Sequence, residues 1–357
     1  MSKLTILITG GCGFIGSNLC VLIKQKYPGY DIIALDNLKR RGSELNIARL
    51  TNHEIKFIHG DIRLADDLVL QYDIDFIIDA AAEPSVMAGV GSSLNYVIST
   101  NLNGTINALE LAVKHKAKFI FLSTSRVYPI SKLEAIKYQE DDERFQIADE
   151  QSLPGISRSG ISEQFPLDSA RSIYGTTKLA SEMMIEEFRE FFDLQYVINR
   201  CGVVAGPYQM GKVDQGVVAL WVASHYWKGD LSYIGYGGTG KQVRDILHVH
   251  DLFRLVDHEI HHFEQVNGSV FNVGGGIESS VSLKELTKLC SDTTGNTISI
   301  KEVEATRKGD VPLYITDNTK ITSVTGWQPQ KTARDIVEDV LKWIDSDAEQ
   351  LKKIFNF

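Results

Sequence analysis

No stretch of this 357-residue sequence approaches the ~20 consecutive apolar residues of a membrane span. Its start runs directly into an apolar, strand-like segment. The charged, apolar and small-residue succession of a secretory signal is missing, so a soluble, cytoplasmic protein is expected. Cysteine is scarce. The four residues, at 12, 20, 201 and 290, make no CxxC pair and no zinc-type spacing, which argues against a disulfide scaffold and for reduced thiols. No basic block exceeds three residues and the net charge is −9, so nucleic acid is not expected as a partner. There is no internal repeat, heptad pattern or low-complexity tract. His248 and His250 would split to opposite faces of a strand and His261-His262 are adjacent on a helix. Neither pair makes a chelate, and no metal is expected.

Glycine, by contrast, is placed with purpose. Thr9-Gly10-Gly11-Cys12-Gly13-Phe14-Ile15-Gly16 follows an apolar run from Leu4 and opens into a helical pattern. Gly10 permits a tight turn after the strand, Gly13 lets backbone approach a pyrophosphate, and Gly16 lets the helix pack on the sheet. Phe14 and Ile15 lie in the first helical turn, where free N–H groups face an anion. Asp36 ends the next apolar run, Ile32 to Leu35, where a carboxylate accepts hydrogen bonds from an adenosine ribose diol. That favours NAD. The neighbouring Lys39, Arg40 and Arg41 leave open a solvated basic loop or a contact with adenine or a 2′-phosphate.

With 43% hydrophobic residues the chain can bury a large core, in one large domain or two unequal lobes. Apolar runs alternate with helical patterns over the first two hundred residues, which predicts an α/β, Rossmann-type, doubly wound parallel sheet. Candidate strands are Leu4 to Thr9, Ile32 to Leu35, Ile55 to His59, Phe76 to Ala80, Phe119 to Ser123 and Tyr196 to Asn199. Helices are expected from near Phe14, Leu64, Tyr96 and Tyr174. Pro129 to Ser172 has no clear period and reads as a lid or partner-binding arm anchored by Phe145, Ile147, Phe165 and Leu167. Residues 1–205, with a long insertion at 130–172, form the expected dinucleotide domain. Residues 206–357 form a smaller mixed α/β substrate lobe, with some exchange of chain between the two. In that lobe, helical stretches run from Val217 to Trp227 and from His250 to Phe263, with a strand at Val270 to Val273 and two late helices.

Tyr174 and Lys178 are the strongest chemical pair, since a spacing of four puts both on one helix face. A neighbouring ammonium and a nicotinamide cation both favour the phenolate, so Tyr174 is placed to take a proton from a sugar hydroxyl. Ser123-Thr124-Ser125 ends the fifth candidate strand, where open parallel sheets present ligand groups; Ser123 and Ser125 read equally as strand caps. Asp61-Ile62 is placed at an adenine edge, and Ala80-Ala81-Ala82 offers a small-residue loop against a cofactor. Asn101 reads as a tie between two segments.

The Gly10 loop, Asp36-Asn37, Gly60-Asp61, Val127-Tyr128, Tyr174-x-x-x-Lys178 and Arg200 occur in the order seen in extended short-chain dehydrogenases/reductases acting on nucleotide sugars, and the chain resembles that family over nearly its whole length. A closer likeness, to enzymes that epimerise CDP-sugars at C2, is carried by Lys137 to Arg171, Asp214-Gln215-Gly216 and Gly240-Lys241-Gln242-Val243-Arg244-Asp245 with His248. The resemblance implies NAD on Gly10, Gly13, Phe14, Ile15, Gly16, Asp36, Asn37, Asp61, Ile62, Ala80 to Ala82, Asn101, Ser123, Tyr174 and Lys178. It implies catalysis by Thr124, Tyr174 and Lys178, and a CDP-sugar contacted by Glu83, Ser125, Arg126, Gln209, Gln215, Arg244 and Arg307. The two arginines of the C-terminal lobe, Arg244 and Arg307, would hold the pyrophosphate, or else pair with surface acids. A homo-oligomer, dimer or tetramer, is expected.

Four positions depart from the family pattern. Asp79 stands where a histidine is frequent, Glu83 where the 2-epimerase branch has a neutral amide, Pro129 for glycine and Ala205 for tyrosine. Glu83 reads as an extra base, a hydroxyl-binding group or an ion-pair partner. A dehydratase would carry Asp-Glu after the active-site hydroxyl, where this chain has Ser125-Arg126, which disfavours dehydration; a UDP-sugar 4-epimerase remains the alternative. A non-catalytic redox sensor would have no use for the Tyr174 and Lys178 pair.

Overall fold

The computed structural model describes residues 3–90, 93–210 and 216–357. The first part of the chain runs β1 (Thr5–Thr9), α1 (Phe14–Lys26), β2 (Asp31–Asp36), α2 (Leu45–Asn52), β3 (Lys56–His59), β4 (Phe76–Asp79), α3 (Leu94–Ile98), α4 (Gly104–His115) and β5 (Lys118–Thr124). It continues with α5 (Ile130–Glu134), β6 (Tyr138–Glu140), β7 (Phe145–Ile147), β8 (Ile156–Ser157), β9 (Gly160–Ile161), α6 (Ile173–Phe192), β10 (Tyr196–Cys201), β11 (Val203–Ala205) and α7 (Val217–Trp227). Then come β12 (Leu231–Ile234), β13 (Val243–His248), α8 (Val249–His261), α9 (Phe263–Val266), β14 (Ser269–Val273), β15 (Ser280–Ser282), α10 (Leu283–Thr294), β16 (Ile300–Val303) and β17 (Leu313–Tyr314). Three helices close the chain: α11 (Thr319–Thr325), α12 (Ala333–Ser346) and α13 (Ala348–Phe355). No helix among the described residues is long and apolar enough to cross a membrane.

Two compact units emerge. The first comprises Met1–Val127, Ile173–Arg200 and Leu252–Phe271; the second comprises Tyr128–Ser172, Cys201–Asp251 and Asn272–Phe357. The 128–172 segment therefore groups with the second unit, and the 252–271 segment with the first.

The first unit is organised by a seven-stranded sheet in the order β14-β10-β5-β4-β1-β2-β3. β1 pairs parallel with both β2 and β4, so the chain leaves β1 toward one side and returns on the other. Such a switch point opens a crevice at the carboxyl ends of the two strands. β1 is a near-continuous apolar run because both its faces are covered: Ile6, Leu7 and Ile8 are fully buried. Helices α4 and α6 contribute Ala108, Leu109, Ala112, Ile185 and Phe188 to a core with Leu7, Ile77, Phe119 and Ile198 from the strands.

The second unit holds a four-stranded sheet, β11-β13-β15 with β17 beside β13, and the parallel pair β12-β16. Its core gathers Val218, Trp221 and Val222 of α7, Leu286 and Cys290 of α10, and Ile336, Val340 and Ile344 of α12. The starts of α10 and α12 are fixed by reciprocal caps, Ser282 with Glu285 and Thr332 with Asp335.

Several local expectations are corrected. The segment from Leu64 makes only a 3₁₀ turn, Ala65–Leu68, which buries Leu68 while Leu64 and Val69 stay exposed and so offer no apolar face for a longer helix. The helix expected from Tyr96 is α3 followed by a π turn, Ser99–Asn103, and then α4. Pro129 to Ser172, read from the sequence as a lid or partner-binding arm, is a short helix and two hairpins within the second unit. Arg144 binds Ser280 Oγ at 2.6 Å, and Lys241 pairs with Glu140 at 2.8 Å, which pins the β6-β7 hairpin down. His248 ends β13 and His250 already lies in α8, so their rings meet at 4.8 Å instead of diverging across a strand. The His248 Nδ1 accepts the His250 N–H at 2.9 Å.

Candidate active site

The glycine loop of the first unit has little freedom. Gly10 adopts φ +63°, a left-handed conformation, and a Cβ there would meet the Ala80 carbonyl oxygen at 2.9 Å. A Cβ on Gly16 would meet the Gly10 oxygen at 2.1 Å. Gly13 is different: its added Cβ would approach only the Gly10 oxygen, at 3.1 Å. The α1 terminus has no side-chain cap and no acidic residue in its first turn. The N–H groups at Phe14 to Gly16 in its first turn are thus available to an anion, which fits a pyrophosphate, while the Gly13 N–H is held by the Gly10 carbonyl at 2.9 Å.

Asp36 braces this loop from the end of β2. Its Oδ2 accepts the Cys12 N–H at 3.0 Å and its Oδ1 the Leu38 N–H at 2.8 Å. Burial pushes its pKa above the ordinary carboxylate value, against those backbone donors and that of Gly13. Each oxygen keeps lone-pair capacity for a ribose hydroxyl. Asn37 donates to Asp61 Oδ2 at 3.0 Å, and Arg63 grips the same carboxylate through Nε and a terminal nitrogen. The Arg63 guanidinium, ahead of Asn37, holds the Asp61 carboxyl down at about 2 despite partial burial. Arg63 also lies 5.0 Å from the centre of the Tyr96 ring. Ile62 packs beneath Gly104, where a Cβ would meet it at 2.5 Å.

The small-residue loop after β4 is anchored from below. Asp79, fully buried, accepts the Thr9 hydroxyl at 2.6 Å and the Thr105 hydroxyl at 2.8 Å, and Thr9 Oγ1 receives the Ala81 N–H at 3.2 Å. A short acid with two hydroxyl donors thus explains the residue that stands in place of a histidine. Asn101, in the π turn, closes the far end of the loop. Its Oδ1 accepts the Glu83 N–H at 2.7 Å, and its Nδ2 donates to the Glu83 carbonyl at 3.1 Å and to Thr177 Oγ1 at 3.2 Å. Glu83 itself is half-buried, with Oε1 receiving the Ser85 N–H at 3.3 Å.

Tyr174 and Lys178 both lie on the buried face of α6, which packs against β5 and the 3₁₀ turn Ser125–Val127. The Lys178 ammonium sits 3.8 Å from the centre of the Phe121 ring. Thr124, at the end of β5, accepts the Arg126 N–H at 3.2 Å, which leaves its hydroxyl proton to donate. Ser123 Oγ donates to Glu182 Oε1 at 2.5 Å, and Arg200 reaches the same carboxylate at 2.7 Å. Glu182 was not among the sequence candidates. Its signal was available, since position 182 continues the stripe of 174 and 178 by one more turn.

In the second unit, Arg244 is held by Asp310 Oδ1 at 2.8 Å and by the carbonyls of Val243 and Val311, each at 2.7 Å. Arg307 is exposed in the same turn, its carbonyl accepting the Asp310 N–H at 3.1 Å. Tyr236 lies beside this group with φ +52°, its phenol pushed upward by burial and by Asp310, against Arg244. Its ring meets Phe145 edge-on at 5.9 Å. Gln209 donates to the Val204 carbonyl at 3.0 Å, while Gln215 lies outside the described residues.

Residues 6–274 match the NAD dependent epimerase/dehydratase family. The chain belongs to that family. It is 32% identical to CDP-paratose 2-epimerase of Salmonella typhi over 350 residues, covering 96% of this chain and 99% of the relative. It is 28% identical to UDP-glucose 4-epimerase of Halalkalibacterium halodurans, covering 95% of each. Among solved structures it is similar to UDP-glucose 4-epimerase of Thermotoga maritima with UDP-glucose, at TM-score 0.77 and 26% identity over 97% of this chain and all of that one (100%). The protein is therefore an NAD-dependent enzyme of the nucleotide-sugar epimerase/dehydratase group. The side-chain-free backbone at Gly13, the uncapped α1 terminus and the Asp36 carboxylate fit NAD of this family.

Proposed function

We propose that this family member epimerises a CDP-linked sugar at C2, without net oxidation. The placement of Tyr174 and Lys178 together on the buried face of α6, packed against the Thr124 end of β5, carries the reaction class. The relative named for CDP-paratose, similar from end to end, carries the nucleotide and the carbon.

Tyr174 accepts the C2 hydroxyl proton while Thr124 donates to the same oxygen and Lys178 stabilises the phenolate. When bound, NAD supplies reversible hydride acceptance. The C2 carbon thereby passes through a ketone, and Tyr174 gives its proton back once the opposite face is reduced. Asp36, Asn37, Asp61, Ile62, Ala80 to Ala82 and Asn101 line or brace the cofactor side. Arg244 and Arg307 neutralise the CDP pyrophosphate, with Gln209 and Gln215 on the sugar nucleotide. Glu83, Ser125 and Arg126 lie toward the sugar. The Ser125-Arg126 pair, in place of two acids, supports epimerisation over loss of water. We place the reaction in the cytoplasm, consistent with four cysteines that are all free thiols. A homo-oligomer is proposed on the exposed apolar side chains Met183 and Phe191 of α6 and Leu94 of α3.

The competing reading is a UDP-sugar 4-epimerase, supported by the 28% identity to the H. halodurans enzyme, while Glu83 departs from the neutral amide expected of the 2-epimerase branch. Purified protein incubated separately with CDP-paratose and UDP-glucose, and followed by NMR of the sugar ring, separates the two. Conversion of the CDP-sugar at C2 supports the proposal. Conversion of UDP-glucose at C4 with an inert CDP-sugar overturns it.

A further inference from the structure

Tyr174, Lys178 and Glu182 form one buried stripe along α6, each a helical turn, ~6 Å, beyond the last. A carboxylate one turn from Lys178 is an obvious partner for that ammonium. In this structure its oxygens are already committed elsewhere. Arg200 Nε reaches Oε1 at 3.2 Å and Oε2 at 3.1 Å, a terminal nitrogen reaches Oε2 at 2.7 Å, and Ser123 Oγ donates to Oε1 at 2.5 Å. Both members of the ion pair are buried, with side chains 7% and 4% exposed.

We propose that Arg200 is a positioning residue that, with Ser123, holds the Glu182 carboxylate in place and neutralises it, reserving the Lys178 charge for Tyr174. The Lys178 ammonium lies 3.8 Å from the centre of the Phe121 ring. This inference rests on the reading of Tyr174 as the base. Tyr96, Arg126, Glu110, Lys114, His115 and Lys118 lie on the segments packed most closely against α6, and Tyr196 of β10 is within electrostatic reach of Glu182, Glu186 and Arg189. All of them are unchanged in the variants below, so a shift among those variants reports the 182–200 pair.

The sign of each effect follows from charge. Arg200→Met leaves a buried anion two turns from Tyr174, which disfavours the phenolate and moves the alkaline rise of turnover to higher pH. Glu182→Gln leaves a buried cation and moves it to lower pH. Glu182→Gln/Arg200→Met removes both charges and returns the profile toward wild type. Displacements of roughly half to one pH unit are expected for single charges at this separation in a protein interior. If Arg200→Met does not accumulate as folded protein, Glu182→Gln and the double variant carry the test, the single moving the rise down and the double moving it back.

The experiment is the pH profile of kcat for the NAD-loaded enzyme and these variants, with folding checked by circular dichroism and Tyr174→Phe run alongside. Opposite displacements that cancel in the double variant support the inference. Inactive Tyr174→Phe, together with charge variants whose profiles stay in place or all move the same way, overturns the inference and leaves the catalytic reading standing. Full turnover in Tyr174→Phe overturns both.

Discussion

The Asn101 side chain binds both backbone groups of Glu83, accepting its N–H at 2.7 Å and donating to its carbonyl at 3.1 Å. One fully buried amide thus sets the path of the loop that carries the least expected side chain near the proposed sugar site. The π turn is what directs it there, since Ser99–Asn103 interrupts the regular helical register between α3 and α4.

Replacing Asn101 with leucine leaves the Glu83 N–H and carbonyl and the Thr177 hydroxyl without this partner. A loss of about 2–3 kcal/mol of stability is expected, together with a raised KM for the sugar nucleotide and retained NAD. Urea denaturation and steady-state kinetics check it. Unchanged KM would show that the loop finds its path without the tie.

Two glycines of the phosphate loop predict different failures. Gly13 has φ −70°, and an added Cβ would sit 3.1 Å from the Gly10 oxygen, so Gly13→Ala asks that oxygen to give by a few tenths of an ångström, costs less stability than Gly16→Ala, and is expected to purify with less NAD because the methyl crowds the pyrophosphate side of the loop. Gly16→Ala drives a Cβ into the Gly10 oxygen, 2.1 Å away, and loses both cofactor and about 1–3 kcal/mol of stability. Cofactor extraction by denaturation, with thermal melts, distinguishes the pair.

Glu259 of α8 is fully buried, and desolvation pushes its carboxyl up to about 8, against one hydrogen bond from Asn199 at 3.0 Å. Its second oxygen has no hydrogen-bond partner, which is the condition of a neutral acid whose proton serves there. The folded protein holds this proton more tightly than the unfolded chain, so the Glu259 contribution to stability is complete below the unfolded value near 4.5 and is lost as pH rises toward 8. Glu259→Gln keeps the shape without the proton. Its stability advantage over wild type grows by about 1.4 kcal/mol per pH unit between 5 and 8. Equal pH dependence of the two proteins in urea would contradict this.

Arg244→Ala is expected to weaken CDP binding by about 2 kcal/mol, with NAD content unchanged, through loss of charge-assisted phosphate contacts. Asp310 complicates the measurement, because it loses its partner at the same time. The Arg244→Ala/Asp310→Asn variant removes that stray charge, and calorimetry with CDP should still show the deficit.

What was legible in the sequence was local. The glycine loop, Asp36 at the end of β2, and the Tyr174 and Lys178 face of α6 all follow from spacing within one strand or helix, and each was found where the pattern put it. Partners distant in sequence were not legible: Ser123 meets Glu182 across 59 positions and Asp79 meets Thr9 across 70, and no periodicity marks either meeting. Weak periodicity also misled. The helix α2 was missed because it is short, flanked by polar turns and buries chiefly Asn46 and Leu50, and the elements of the 130–172 segment were not legible because strands of two or three residues carry no readable alternation. His248 and His250 were misplaced because β13 passes into α8 without an intervening loop.

The central claim, hydride removal and return at C2 under Tyr174, is tested most directly by isotope. CDP-paratose deuterated at C2 is converted in ordinary water and the product sugar examined by NMR and mass spectrometry. The account predicts product inverted at C2 with the deuterium still on that carbon, and turnover lowered by ~10²-fold or more in Tyr174→Phe. Deuterium washed out to solvent, or inversion at C4 with C2 untouched, would contradict it.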